Sequence, residues 1–303
     1  MPGEFPSISI VTPSYQHGQY IERTIQSVLT QDYPNLEYLV LDGGSTDKTV
    51  EILKRYHGKL IWTSQPDRGQ SDAIARGFAG SHGEILGWLN SDDAYAPGAL
   101  RAVAEIFAQY PDVGVVYGNA DFIDAGDCFI APCAHIEPFS RHRLLHYSDY
   151  IVQPAAFFRR IAFEAAGGLD CSLRWAMDYD LWLKLAAKTR FHYLPRLLAH
   201  YRWLGESKTS LGGAARLEEV RSVVRRHGRR TLPAYFRLEA VRMHLAQAFE
   251  NASPAHVARH LAAALAAVAS SPRAIRSLMS LQTWRTIRTG QLLRNSARRG
   301  AAT

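Results

Sequence analysis

Paired cysteines are missing from this 303-residue chain. Its three cysteines, Cys128, Cys133 and Cys171, form no CxxC pair and leave an odd count, so neither a disulfide framework nor a zinc site is expected and they read as small buried apolar residues. No apolar run approaches the roughly 20 residues that span a bilayer. MPGEFPS leads into a strand-like segment without the basic and then apolar order of a leader, so the expected location is the cytoplasm. Acids are scarce only at one end. Residues 1–204 carry 18 Lys and Arg against 23 Asp and Glu, whereas residues 205–303 carry 17 against 5. We place a boundary near Gly205, where composition also shifts to Ala, Arg and Leu.

What is present is an alternation of strand and helix signals. Ile8 to Thr12 is β-rich and is cut by Pro13, which places the strand end at Thr12. Tyr20, Ile21, Ile25, Val28 and Leu29 recur at helical spacing. Leu36 to Leu41 repeats the strand, ends in Asp42, and is followed by a helix that Ser45 or Thr46 can cap. Leu60 to Thr63, the loop SQPDRGQSD and a helix through Ala73, Ile74 and Phe78 form a third unit. Such alternation predicts a mostly parallel sheet covered by helices, with ligands at the carboxyl ends of the strands. Thr12 to Tyr15, Asp42, Asp67 to Asp72 and Asn90 to Asp93 all fall at such ends.

Further on, a helix is predicted from Pro97 to Tyr110, a strand from Val113 to Tyr117, and a hairpin in DFIDAGDCFI turning at Ala125 and Gly126. This less regular region, the hairpin together with the His/Arg-rich segment His135 to His146, is assigned to acceptor contacts. Val152 to Arg159 reads as a strand, and Asp178 to Lys188 as a helix with Leu181, Leu185 and Trp182 inward.

The stretch EILGWLNSDD organises these signals. Ile85, Leu86, Trp88 and Leu89 make a short apolar strand that empties into Asn90, Ser91, Asp92 and Asp93, hard oxygen donors suited to a divalent cation carrying phosphates. Asp92 and Asp93 could instead only cap the following helix, and Asp178, in the first turn of its own helix, has the same bland explanation.

Assembled, the first 200 or so residues resemble a family 2 glycosyltransferase with the GT-A fold, the inverting group that uses nucleotide-diphosphate sugars. The resemblance runs through VTPSYQHGQYIERTIQSVLTQDYPNLEYLVLDGGSTDKT, SQPDRGQSDAIARGF, ILGWLNSDDAYAPGAL, GGLDCSLRWAMDYDLWLKLA and YRWLGESKTS, in that order. It implies that Thr12, Pro13 and Tyr15 line the base and ribose pocket, that Asp42 accepts from the nucleobase, a uracil N3–H, and that Arg68 and Asp72 lie near the diphosphate or sugar. Asn90 and Ser91 would flank the donor. Asp92, supported by Asp93, would hold Mg2+ or Mn2+ against the diphosphate, and Asp178 would be the general base, with Asp180 the fallback.

Four positions depart from the family pattern: Gly43 for a second aspartate, Asn90 for the first acid of the DxD triplet, Met177 for the glutamate before the base, and Leu204 for a metal-binding histidine. His200 is nearby in sequence and could substitute for the last. The implied acceptor is a hydroxyl of a glycan or lipid-linked glycan, in cell-envelope polysaccharide assembly. A sugar nucleotidyltransferase would open on a GxGxR loop and a lysine, and ISIVTPSYQ has neither; a non-catalytic scaffold acting through the basic tail is the alternative from another class.

The tail from residue 205 is helical by pattern. One apolar stripe runs through Leu238, Val241, Leu245 and Phe249 and a second through Val257, Leu261, Leu265 and Val268; Ser253 with Pro254 and Ser271 with Pro272 read as helix starts. Three readings stay open. The stripes pack on the catalytic domain or on each other, or the basic face lies on an anionic membrane at the cytoplasmic side, or it meets nucleic acid, which no recognised motif supports.

Overall fold

The computed structural model describes residues 5–204, 212–250 and 262. Strands β1 (Ile8–Ser14), β2 (Leu36–Asp42), β3 (Ile61–Ser64) and β4 (Ile85–Trp88) alternate with helices α1 (Ile21–Leu29), α2 (Thr49–Arg55) and α3 (Gln70–Ala79). Then come β5 (Ala94–Tyr95), α4 (Ala99–Gln109), β6 (Val113–Ile123), β7 (Phe129–Pro132), α5 (Arg141–His146), β8 (Ala156–Arg159), α6 (Arg160–Ala165), α7 (Met177–Leu185) and β9 (Arg190–Arg202). Two helices follow, α8 (Gly213–Arg226) and α9 (Ala234–Glu250).

One sheet holds the strands in the order β3-β2-β1-β4-β8-β6-β9-β5, with β7 on β6. The first four are mutually parallel, and β8 enters antiparallel between β4 and β6. The chain lays β2 and β3 outward on one side of β1 and returns to put β4 on the other. Strand order therefore reverses at the β1/β4 boundary, where loops part and a crevice opens at the carboxyl ends.

Sheet periodicity sorts the core into two faces. Leu86 and Trp88 face one cluster while Ile85 and Leu89 face the other, as a period of two requires. Trp88 stacks on Trp182 of α7 at 5.9 Å between centroids and 9° between planes, so both are core aromatics. α3 reaches the sheet closely because Gly77 has no side chain: a Cβ there would stand 2.5 Å from Val11 Cγ1.

Several elements differ from their sequence expectations. β1 continues through Pro13 to Ser14, since its pairing with β4 stops at Val11 and Trp88 and the missing N–H of Pro13 breaks no bond on that side. β8 starts at Ala156, because the chain makes a 3-10 turn over Gln153–Ala155 around Pro154. The long β9 had no expectation attached to it. Pro195 argues against a strand there, and the ladder accommodates it by passing from Gly118–Leu194 directly to Asn119–Leu197, which leaves Pro195 and Arg196 in a bulge.

The described part of the basic tail packs on the rest. Leu217, Val220, Val223 and Val224 of α8 and Phe236 and Ala240 of α9 are buried in the same cluster as Tyr179 and Leu183 of α7. The change of charge near residue 205 thus does not coincide with a break in the core. On α9 the buried face carries Phe236 and Ala240, whereas Leu238 and Val241 are only half-buried, a rotation of the expected stripe. The second stripe, both Ser-Pro starts, Leu245 and Phe249 lie outside the described side chains.

Candidate active site

A cleft of about 780 Å³ opens at the carboxyl ends of β1, β2 and β4. Its floor depends on loops tied together across the sheet. The loop after β1 holds that after β2 through Gln16 N–H to Ser45 Oγ at 2.7 Å and Gly18 N–H to Asp47 Oδ2 at 2.8 Å. Pro13, Ser14 and Tyr15 line the cleft, and Tyr15 stands exposed at its rim. The buried Ser14 hydroxyl has no hydrogen-bond partner among the described residues. Gly43 lines it as well, and a Cβ there would sit 3.0 Å from Asp67 Oδ2 and 3.3 Å from the Tyr15 ring. A second aspartate at this position would stand against the Asp67 carboxylate, so Asp67 or Tyr15 would have to shift by a few tenths of an ångström.

The acidic turn after β4 divides its two carboxylates. Asp93 is 1 % exposed; its Oδ1 accepts the Arg202 backbone N–H at 2.8 Å and its Oδ2 accepts Asn90 Nδ2 at 3.1 Å. Both oxygens are thus engaged inside the protein. Asn90 is fixed in turn by Gln70 at 2.7 Å and Gln153 at 3.1 Å, and Ser91 Oγ lies 2.7 Å from His17 Nδ1. Asp92 is half-buried and faces the cleft. Burial raises its carboxyl above the usual carboxylate range, against the opposing influence of His17. Burial and then the neighbouring Asp92 charge raise Asp93 further.

Arg202 secures this turn from β9. It is 3 % exposed; Nε donates to the Asp92 carbonyl at 2.7 Å, Nη1 to the Asp124 carbonyl at 2.5 Å, and Nη2 to Asp127, while the guanidinium lies 4.9 Å from the Tyr20 ring centroid. A buried guanidinium with its donors engaged is a rigid strut.

Asp178 occupies the first turn of α7 and borders the cleft. The segment before it is held by α8: Glu219 accepts the backbone N–H groups of Arg174 at 2.9 Å, Trp175 at 2.6 Å and Ala176 at 2.7 Å. The N-cap residue Ala176 has no side-chain cap; Glu219 takes its N–H together with those of the two residues before it, and the Asp178 carboxylate accepts the Tyr179 N–H at 2.8 Å. Met177 lines the cleft, and its Sδ receives the Ser71 hydroxyl at 2.9 Å. Asp180 points into the core, 2.7 Å from Lys184 Nζ and 3.6 Å from His227 Nε2. Its position suits packing rather than base chemistry.

Other expected residues stand off the cleft wall. Thr12 is fully buried with its hydroxyl 3.1 Å from the Tyr38 hydroxyl. The Asp42 carboxylate is taken up by its own loop, accepting from Ser45 N–H at 2.8 Å, Ser45 Oγ at 2.5 Å and Ser64 Oγ at 2.6 Å. Arg68 is exposed and grips Asp72 through Nη2 at 2.6 Å. His200 lies on β9 beside Asp121, its buried Nδ1 without a hydrogen-bond partner among the described residues, while Leu204 lines the cleft. Conversely, His17, Trp175 and Arg202 were not singled out from sequence, although each lies inside a motif quoted above, and Ser14 and Asp67 were given only as parts of strand-end segments with no role attached. Their residue types carry no signal until the loops are brought together.

Residues 9–165 match the family model described as glycosyl transferase family 2. The chain belongs to glycosyl transferase family 2. It is similar to an uncharacterized glycosyltransferase of Rickettsia typhi, at 27 % identity over 230 residues that cover 72 % of this chain and 70 % of that protein. It is also similar to the chondroitin synthase of Pasteurella multocida, at 28 % identity over 209 residues, 68 % of this chain but 21 % of the synthase. Among solved structures, S. aureus TarS 1-349 in complex with UDP-GlcNAc superposes with a TM-score of 0.63 at 16 % identity, covering 96 % of this chain and 90 % of that one. The mannosyltransferase PcManGT of Pyrobaculum calidifontis, in complex with GDP-Man and Mn2+, gives 0.57 at 20 % identity, covering 98 % and 87 %. The fold of this family 2 member is the GT-A type, and the chain is a glycosyltransferase.

Proposed function

We propose that this family 2 enzyme is an inverting transferase that moves one sugar from a nucleotide-diphosphate donor, a UDP-sugar first among them, to a hydroxyl of a glycan or lipid-linked glycan in cell-envelope polysaccharide assembly. The observation that carries the reading is that Asp92 and Asp178 border one cleft at the strand-order reversal. UDP-GlcNAc and GDP-Man in the structural neighbours support a nucleotide-sugar donor. The chondroitin and hyaluronan synthases of Pasteurella multocida support a polysaccharide product, although the chain spans only 21 % of either.

The residues present fit a divalent cation. Among the described residues no cluster of three His, Cys, Asp or Glu could hold an ion unaided. The cleft instead offers the Asp92 carboxylate, raised by burial and therefore stabilised in its charged form by a cation. Mg2+ and Mn2+ suit such a site, since substrate phosphates and water complete their shells. A cation held there would shield the diphosphate as it departs. Asp93 supports Asp92 by fixing the turn to β9.

Asp178 takes the proton of the attacking hydroxyl while that oxygen bonds to the anomeric carbon. The anomeric C–O bond to the diphosphate breaks on the opposite face, its electron pair passing to the leaving group. Ser14, Tyr15, Gly43 and Asp67 flank the nucleotide.

Differential scanning of the full chain against a panel of nucleotide sugars with Mn2+, followed by NMR of the product's anomeric configuration, tests the reading. One donor should raise the melting temperature only with metal, and the product should be inverted. No stabilisation by any donor, or retained configuration, would overturn it. No helix among the described residues is long and apolar enough to cross a membrane. Within α8, Arg216 pairs with Glu239 and Arg226 with Asp170, while Arg221 and Arg225 share Glu218 with their side chains 41 % and 60 % exposed, so the anionic-membrane reading keeps these two and the arginines beyond α8.

A further inference from the structure

Among the described residues the buried Arg202 has one salt-bridge partner, Asp127, in the turn between β6 and β7. Hydrogen bonds inside that turn fix where Asp127 stands. Asp124 Oδ1 accepts the N–H groups of Gly126 and Cys128, each at 2.9 Å, and the Asp127 N–H donates to the Asp124 carbonyl at 3.2 Å. Asp127 is thereby held at φ +67°, a left-handed backbone that a residue other than glycine seldom adopts. One of its carboxylate oxygens takes Arg202 Nη2, and the other lies 3.7 Å from Arg23 Nε of α1. Asp127 itself does not line the cleft.

Resting on the transferase reading above, we propose that Asp127 is a positioning residue for the cation: it holds the Arg202 guanidinium on the β6–β7 turn and so leaves the Asp92 carboxylate to the divalent ion of the donor. The competing acids are close at hand. Nε of the same guanidinium donates to the Asp92 backbone carbonyl at 2.7 Å, so Arg202 already grips the residue whose carboxylate faces the cleft. Behind the larger effect of burial, the Arg202 charge favours the ionised forms of both Asp92 and Asp93. Asp93 has both oxygens engaged, by the Arg202 backbone N–H and by Asn90, whereas Asp92 is open to a new partner. A buried guanidinium deprived of its counter-charge is costly, and it turns to a carboxylate within reach. Without Asp127 that carboxylate is Asp92, and a cation would have to displace an arginine to bind there.

Titration of Mn2+ into the full chain, followed by electron paramagnetic resonance with UDP or GDP at saturation, tests this. The wild type should bind Mn2+ with one of the two nucleotides. Asp127→Asn keeps a hydrogen-bond acceptor and tolerates the left-handed backbone; Asp127→Gly removes the side chain and relaxes that backbone. Each should weaken Mn2+ binding by about tenfold or more. Adding Arg202→Gln to either, which keeps a donor for the Asp92 carbonyl and removes the charge, should restore most of the lost affinity. If Asp127 only shapes the turn, the double variants bind Mn2+ no better than the single ones. Affinity unchanged in both single variants, or not recovered in the double variants, overturns the role of Asp127 alone. No Mn2+ binding by the wild type with either nucleotide overturns the cation reading at Asp92 and the role of Asp127 with it.

Discussion

Asp93 and Arg202 are 109 residues apart in sequence and 2.8 Å apart in space, the Asp93 carboxylate accepting the Arg202 backbone N–H. Through this bond the turn that carries Asp92 is fastened to the end of β9, a strand on the far half of the sheet. The second acid of the pair therefore acts on the first by holding it in place.

Asp93→Ala should accordingly destabilise the fold. It leaves the Arg202 N–H and Asn90 Nδ2 without their acceptor, at about 1–3 kcal/mol for a buried group. Urea denaturation of the purified variant measures the change; a midpoint equal to the wild type would show that the bond contributes nothing.

Asp92→Ala should behave in the opposite way. Apo stability is retained, because the substitution removes a carboxylate that burial disfavours. The extra melting temperature conferred by UDP-sugar plus Mn2+ should vanish. A full metal-dependent shift in this variant would remove Asp92 from the cation site.

Asp178→Asn should leave donor affinity intact and lower transfer by about 10²- to 10⁴-fold, the usual contribution of a positioned base. Titration calorimetry with the donor and single-turnover transfer separate the two effects. Loss of the folded state instead would identify Asp178 as a helix cap.

Glu219→Ala tests whether the tail belongs to the catalytic machinery. Three backbone N–H groups lose their acceptor, so stability falls and the segment before Asp178 loosens. The turnover number should drop with little change in donor KM, and Glu219→Gln should restore part of it. A stability loss with unchanged turnover would confine Glu219 to packing.

The same helix predicts a pH dependence. Burial acts to raise the Asp170 carboxyl, but the Ser172 hydroxyl and Arg226 outweigh it and hold it at about 2, against 3.8 ordinarily. A depressed folded value gives stability that is present above the unfolded pKa and lost as pH falls through the folded one. Urea midpoints should therefore decline between about pH 4 and pH 2, and Arg226→Ala should flatten that decline. An identical slope in the variant would exclude the pair as its source.

Much of the first half was legible because its elements are local. The places of β1, β2 and β4 follow from short apolar runs closed by polar loops, with β1 running two residues past its expected end, and these runs lie almost wholly within the residues that the family model matches. β9 was not legible. Its Pro195 argues against a strand, and pairing with β6 on one side, with a bulge at the proline, and with β5 on the other stabilises it. Arg202 was hidden for the same reason, since its partners Asp92, Asp93, Asp124 and Asp127 come from two other loops.

The sequence by itself determined the fold class and the family and pointed to the strand ends that border the candidate cleft, because alternation of strand and helix and polar residues at strand ends are properties of neighbouring residues. Tertiary structure decided which of these side chains face the cleft and which are taken up by their neighbours. Asp92 and Asp93 are identical in type and adjacent, and only the burial of one against Arg202 separates them. Asp42, Arg68 and Asp72 are drawn into their own loop contacts, while Glu219, remote in sequence, closes the start of α7. A carboxylate's partner depends on which chain segments meet around it, and that is fixed only when the sheet and the tail helices pack.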